Sequence, residues 1–276
     1  MKILLFGGSG MVGSELTCAL SSHEVVAPPH THVDISDATA VEQIIAKENP
    51  NFIINAAAII NMSAIEQDPA SAMRVNVMGA AAIAHAAAKA ATPQLLVSSS
   101  YVFGEAAQPY DEDAVKNPIN AYGETKAAAE DAVAACKSNA AHYIVRTSWI
   151  YSTYRDTFVD EVAKTLREGK PFVASLQRGN PTQGREFAVT IITNFIDSSL
   201  PKSGVYHVVN EGSASRYEMA REIARTLHLP ETLVTSDDFP SNAIRPSVVL
   251  KNTKLPPLPP WEVALRRYLA VRYAQK

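Results

Sequence analysis

Tyr122 and Lys126 stand four residues apart in Tyr122-Gly123-Glu124-Thr125-Lys126. On a helix that spacing brings both side chains to one face. A phenol beside an ammonium can give a proton to a carbonyl oxygen undergoing reduction. The ammonium stabilises the phenolate left behind and draws a pKa of about 10 toward working pH. Lys126 can also hold a ribose hydroxyl. A second donor to the same oxygen is available in Ser98-Ser99-Ser100, which closes a short apolar run. In open α/β sheets that is where ligand contacts gather. Further upstream, Gly7, Gly10 and Gly13 recur every third residue in Gly7-Gly8-Ser9-Gly10-Met11-Val12-Gly13. Such glycines let the main chain turn tightly and approach a pyrophosphate, which sits at a helix N-terminus with unpaired N–H groups. Each motif alone is weak. A Tyr-x-x-x-Lys recurs by chance, a serine tract after a strand is often a cap, and a glycine run is often a turn. Together and in this order they point to carbonyl chemistry on a dinucleotide.

These groups need a scaffold that brings them together. Short apolar runs at Ile3–Phe6, Phe52–Ile54, Leu95–Val97 and Tyr143–Val145 read as strands buried on both faces. Helical stretches alternate with them at Met11–Leu20, Ala38–Lys47, Pro69–Ala91 and Tyr122–Cys136. Asp68-Pro69 supplies a cap and a proline at the first helical position of the third. This alternation predicts a Rossmann-type, doubly wound parallel α/β sheet over residues 1–150. Past residue 150 the pattern loosens, and residues 151–276 read mainly as a smaller C-terminal substrate-binding lobe. Helices are expected there over 156–168, 186–198, 216–227 and 261–273, with a segment around 183–210 returning to the first domain. Pro256-Pro257-Leu258-Pro259-Pro260 reads as a stiff connector before the last helix.

Composition narrows the classes further. The chain has 276 residues, 47% of them hydrophobic, with 25 Lys+Arg against 28 Asp+Glu and a formal net charge of −3. Charge so small and mixed does not favour nucleic acid or a membrane surface as partner. No apolar stretch approaches the ~20 residues of a membrane span, and a cytoplasmic location is expected. Cys18 and Cys136 are too few for a disulfide framework and read as small core side chains. No Glu/His/Cys set calls for a metal.

The cofactor type turns on the second strand, expected at Glu24–Ala27. An acid at its end would bind the adenine ribose of NAD, but Pro28-Pro29-His30 follows instead. NADPH is therefore favoured, with NADH as the other candidate. Asp34 and Ile35 come slightly later and are placed on the adenine side.

Several further segments carry a family resemblance. Met1–Leu16, Asn55-Ala56-Ala57-Ala58, Val75-Asn76, Ser98–Phe103, Tyr122–Lys126 and Arg146-Thr147-Ser148-Trp149-Ile150-Tyr151 resemble the extended short-chain dehydrogenase/reductases, and among them the dTDP-4-dehydrorhamnose reductase family. Gln177-Arg178-Gly179-Asn180-Pro181-Thr182 and Arg245-Pro246-Ser247-Val248-Val249-Leu250 extend the likeness into the second lobe. The resemblance implies reduction of a 4-keto-6-deoxy nucleotide sugar, with Tyr122 protonating the C4 oxygen, Lys126 lowering its pKa and binding ribose, and Ser99 as the third catalytic hydroxyl. It assigns cofactor contacts to Gly7, Gly10, Met11, Val12, Gly13, Asp34, Ile35, Ala56, Ala57, Ala58 and Asn76, besides Tyr122 and Lys126. Substrate contacts fall on Ser99, Ser100, Tyr101, Trp149, Gln177, Thr182 and Arg245, the last as a bidentate grip on a diphosphate. A homodimer is the expected assembly, with Glu15 a candidate contact.

The sequence also departs from the family. Ser100 stands where the family has an acid, Leu176 replaces the acid before Gln177, and Ile59-Ile60-Asn61 is less polar than usual. Two other readings therefore stay open. One is a nucleotide-sugar 4-epimerase, since Ser98–Ser100 resembles epimerase serine tracts. The other is a non-catalytic NADP-binding module resembling the regulatory subunit of methionine adenosyltransferase. A 4,6-dehydratase is disfavoured because no acid stands beside Ser99.

Overall fold

The computed structural model describes residues 1–198, 201–237 and 245–273. Of the expected lobe, residues 199–200, 238–244 and 274–276 lie outside it. The chain opens with β1 (Lys2–Phe6), α1 (Met11–Ala19), β2 (Glu24–Val26), α2 (Ala38–Glu48) and β3 (Phe52–Asn55). Short helices α3 (Met62–Gln67) and α4 (Pro69–Ala72) precede α5 (Gly79–Lys89), and then come β4 (Gln94–Ser99), α6 (Ala121–Ala135) and β5 (His142–Thr147). The single helix expected over 69–91 is interrupted at Met73–Met78 by a wider π turn.

After β5 follow β6 (Ile150–Tyr151), α7 (Phe158–Arg167), β7 (Phe172–Ser175), β8 (Arg178–Gly179), β9 (Thr182–Gln183), α8 (Gly184–Phe195) and β10 (Gly204–His207). The chain ends with α9 (Arg216–Thr226) and α10 (Trp261–Tyr273). Six strands form one sheet in the order β10-β5-β4-β3-β1-β2, with every pairing parallel.

Parallel strands covered on both faces need apolar side chains in both directions. In β1, Ile3 and Leu5 pack with Leu16, Phe187 and Ile191 on one face. Leu4 and Phe6 pack with Val41, Ile45 and Ile83 on the other. Phe187 and Ile191 belong to α8, so this helix covers the sheet beside α1 although it follows the first lobe elements in sequence. A separate core joins Val159, Val162 and Leu166 of α7 to Met219 and Ile223 of α9 and Leu265 and Leu269 of α10. Among the described residues no helix is long and apolar enough to cross a membrane.

Cys18 is exposed rather than packed, and Cys136 is only half-buried. Glu15 is 4% exposed and its Oε1 accepts the Ser152 hydroxyl at 2.7 Å.

Candidate active site

The carboxyl ends of β1, β3 and β4 open onto a cleft of about 270 Å³ lined by Val12, Ala56, Ala58, Ser99, Tyr101, Tyr122, Lys126, Trp149, Arg216 and Arg245, among others. A larger cleft of about 640 Å³ lies between α8, α10 and Pro256–Pro259, but it contains none of the glycine-loop or Tyr–Lys residues. The chemistry therefore belongs to the smaller one.

Val12 of the lining lies in the first turn of α1, which the glycine loop joins to β1. Gly7 has φ of +80°, which an L side chain seldom adopts. A Cβ on Gly13 would overlap the Gly7 carbonyl oxygen, so helix and strand meet this closely only without a side chain there. Gly10 caps α1 without any side-chain hydrogen bond to its first N–H groups. The orphan amides of the helix start are thus open for an anion. Met11 and Val12 are half-buried in its first turn. The loop fits a dinucleotide pyrophosphate on its own geometry.

The wall beside it is the segment after β3. Ala56 and Ala58 line the cleft, and the Ala57 N–H donates to Asn55 Oδ1 at 3.1 Å. Asn76 does not face the cleft. It is 2% exposed, and its amide is spent on both backbone groups of Ile59 and on the Thr125 hydroxyl, at 2.8, 3.0 and 3.0 Å. Asn76 thus braces the loop after β3 against α6. Asp34, expected on the adenine side, accepts the Ser36 N–H at 2.9 Å and the Ser36 hydroxyl at 2.8 Å through Oδ1. Those bonds hold its carboxyl below the ordinary range, with smaller help from His30 and Arg74. Ile35 is buried against Gly79.

The proton-handling groups meet where α6 begins. Asn120 caps α6 by accepting the Gly123 N–H at 2.7 Å, and Ser99 caps the short turn Ser100–Val102 after β4 by accepting the Tyr101 N–H at 3.2 Å. These caps set Tyr122 against the end of β4. Burial pushes the Tyr122 phenol up to about 12, a hydrogen bond with the Ser99 hydroxyl opposes this, and Tyr101 adds to the rise. The Tyr101 ring meets the Tyr122 ring edge-on, with centroids 6.3 Å apart.

Lys126 is 3% exposed and donates to the Val97 carbonyl at 2.8 Å. Burial lowers it to about 8, against the pull of Glu130. The expected lowering of the Tyr122 pKa by Lys126 is not realised here, because the ammonium is turned to the β4 backbone. A phenol held near 12 keeps its proton at neutral pH, which is the state a proton donor requires.

A buried polar network fixes α6 to the sheet. Arg146 grips Glu130 through two bonds, Nε to Oε1 at 2.9 Å and an Nη to Oε2 at 2.7 Å. The Ser98 hydroxyl donates to the same Oε1 at 2.6 Å. Successive residues of a strand face opposite ways, so the Ser98 hydroxyl joins this network while that of Ser99 meets Tyr122. Behind Arg146, burial drives His207 down to about 4. Neutral, it can donate from Nδ1 to the Lys251 carbonyl at 3.0 Å and accept from Arg146 at Nε2.

The remaining expected substrate residues divide. Ser100 lines the cleft but is 2% exposed and donates to the Ser148 hydroxyl at 3.3 Å. Tyr101, Trp149 and Arg245 also line it. Thr182 does not, because it is fully buried with its hydroxyl on the Asn180 carbonyl. Gln177 also falls outside the lining, where its carbonyl accepts the Arg216 N–H at 3.2 Å.

Among the cleft residues that the sequence reading did not assign to the site are Thr147 and Arg216. Thr147 presents a buried hydroxyl with no partner among the described residues. Arg216 lies with its guanidinium 3.9 Å from the Trp149 ring centre and 4.5 Å from that of Phe158. Thr147 carried a signal in its place at the end of an apolar strand, while Arg216 carried none.

Comparison with known proteins adds the context. The model of the RmlD substrate binding domain family matches residues 1–273. The chain is 32% identical to a dTDP-4-dehydrorhamnose reductase of Mycolicibacterium smegmatis, covering 98% of this chain and 85% of the relative. It is also 32% identical to a probable dTDP-4,6-dihydroxy-2-methyloxan-3-one 4-ketoreductase of Streptomyces antibioticus, over 96% and 94%. Among solved structures, the dTDP-4-dehydrorhamnose reductase of Bacillus anthracis in complex with NADP superposes with a TM-score of 0.90 at 28% identity, covering 98% of this chain and 99% of that one.

Proposed function

This chain belongs to the RmlD family, and from that membership we propose that it is an NADPH-dependent reductase of a 4-keto-6-deoxy nucleotide sugar, converting dTDP-4-dehydrorhamnose to dTDP-rhamnose. The observation that carries the reading is the meeting of Ser99, Tyr122 and Lys126 in one cleft above an open glycine loop. Bound NADPH supplies the hydride that reaches C4.

The chain's own groups do the rest. Tyr122 gives its proton to the C4 oxygen as the carbonyl becomes an alcohol, and Ser99 donates a hydrogen bond to the same oxygen. Lys126 holds the nicotinamide ribose, for which its ammonium turns from the Val97 carbonyl. Gly7, Gly10 and Gly13 shape the pyrophosphate cradle, and Ala56–Ala58 wall the nicotinamide side. The C-terminal lobe, through Trp149 and its neighbours, receives the sugar nucleotide.

The test is loss of NADPH absorbance with dTDP-4-keto-6-deoxyglucose, with and without an added 3,5-epimerase. Turnover that needs the epimerase is expected, and in Tyr122→Phe it falls by about 10²–10⁴-fold. Turnover without the epimerase would keep the reductase and change the sugar. Tight NADPH binding with no turnover on either ketosugar would refute the reading.

A further inference from the structure

Arg216 is the first residue of α9, and its main-chain N–H is anchored on Gln177. Its guanidinium rests on Trp149 and Phe158. Among the described residues no carboxylate makes an ion pair with either Arg216 or Arg245, whereas Arg178, Arg221, Arg225, Arg266 and Arg272 each have an acidic partner. Both unpaired guanidiniums face the same cleft, and they repel each other. Burial, helped by Arg245, lowers Arg216 to about 10, with Tyr101 and Glu161 opposing. Two like charges in one cleft, neither directly ion-paired among the described residues, suit a multiply charged anion.

Trp149 links this pair to the reacting centre. Its φ of +40° is strained for a bulky residue, and strain of this kind persists only when the surroundings impose it. The indole lies on β8 so closely that a Cβ on Gly179 would come within 2.5 Å of it. Tyr101 spans the distance between the two ends of the site, meeting the Tyr122 ring on one side and acting on Arg216 on the other. In a nucleotide sugar the reacting C4 and the anomeric diphosphate lie at opposite ends of one hexose ring. Tyr122 and Arg216 line the same cleft, so one sugar nucleotide can present its ring carbon to the first and its diphosphate to the second.

We infer that Arg216 is a specificity-determining substrate ligand that, together with Arg245, takes the diphosphate of the sugar nucleotide while its stack on Trp149 fixes the floor under the sugar. The inference rests on the proposed nucleotide-sugar chemistry and adds to it the residue that holds the charged end. A planar guanidinium suits this position because it can stack on an indole and still present N–H donors edge-on to phosphate oxygens.

Binding of dTDP, UDP and thymidine to the full chain, measured by calorimetry with NADPH saturating so that the cofactor's own phosphate sites are filled, tests this. In Arg216→Gln, dTDP affinity is expected to fall about 10- to 100-fold, as for loss of a charge-assisted bond, while thymidine and NADPH affinities hold. Arg216→Lys should recover part of the dTDP affinity, because it restores charge without the fork. Equal losses for dTDP and thymidine, or an unchanged dTDP affinity, would overturn the assignment while leaving the reductase reading intact. Wild-type protein that binds neither dTDP nor UDP would remove both.

Discussion

The side chain of Asn76 pairs with the peptide of Ile59 as one strand pairs with another. Its Oδ1 accepts the Ile59 N–H at 2.8 Å and its Nδ2 donates to the Ile59 carbonyl at 3.0 Å. Nδ2 also reaches the Thr125 hydroxyl, which in turn donates to the Tyr122 carbonyl at 2.8 Å. One amide thus ties the loop after β3, which walls the cofactor side of the cleft, to the helix that carries Tyr122. Asn76 sits in the π turn between α4 and α5, where the widened helix can direct a polar group sideways out of the usual ladder.

Replacing Asn76 should therefore loosen the cofactor wall as well as the fold. Asn76→Ala leaves the half-buried Ile59 N–H and carbonyl without their partner, at a cost of about 1–3 kcal/mol in urea unfolding. NADPH affinity, followed by cofactor fluorescence, should drop alongside stability. A stability loss with unaltered NADPH affinity would reduce Asn76 to a packing role.

Gly13→Ala should be more severe for binding. The new methyl would meet the Gly7 carbonyl oxygen, and both are backbone-fixed, so α1 must move away from β1. That shift opens the pyrophosphate cradle and disturbs Leu16 in the sheet core. NADPH protection against thermal unfolding, clear in the wild type, should be absent in the variant. Retained protection would mean that the loop tolerates a wider turn than its geometry suggests.

How far the sequence foretold all this depends on the kind of signal each residue carries. Ile3–Phe6, Phe52–Ile54 and Tyr143–Val145 were legible as central strands because burial on both faces leaves an unbroken apolar run. The glycine loop and the Tyr122–Lys126 spacing were legible because they are local. Arg216 was not, since its meaning comes from Trp149 and Phe158, which are distant in sequence. The Asn76 brace was hidden for the same reason, because an amide in an alanine-rich helix gives no hint that Ile59 awaits it. Thr182 looked like a substrate contact from its motif, yet in β9, paired with Ile150 of β6, it is buried completely. The direction of Lys126 was also out of reach, because i and i+4 spacing places a side chain on a face without saying which carbonyl it will find.

Lys126 sets a pH dependence whose sign can be worked out. Its folded pKa is lowered from 10.5 to about 8 by burial. Between those values the unfolded chain holds the proton that the folded chain has lost, so stability from this group rises with pH across the window. Activity moves the other way. With the ammonium needed for ribose, kcat/KM should fall above pH of about 8, while Tyr122, held near 12, stays protonated throughout. Lys126→Arg, charged at every accessible pH, should lose that alkaline limb. A wild-type profile flat to pH of about 9.5 would detach the ammonium from catalysis. Lys126→Met should unfold at higher temperature than the wild type at pH of about 7, since it removes a buried charge, while losing activity.

Glu130 offers the sharpest test of how the site is held. Both members of its pair with Arg146 are 3% exposed or less, and the carboxylate also takes the Ser98 hydroxyl. Breaking one side of such a pair leaves an uncompensated buried charge, so Glu130→Gln should cost about 3–5 kcal/mol in denaturant unfolding. The Lys126 pKa should fall further, because Glu130 is the group that opposes its burial. The alkaline limb of kcat/KM should then move to lower pH than in the wild type. A purely structural role would lower stability and leave that limb in place. The limb thus separates Glu130 as a brace for α6 from Glu130 as the group that keeps Lys126 charged.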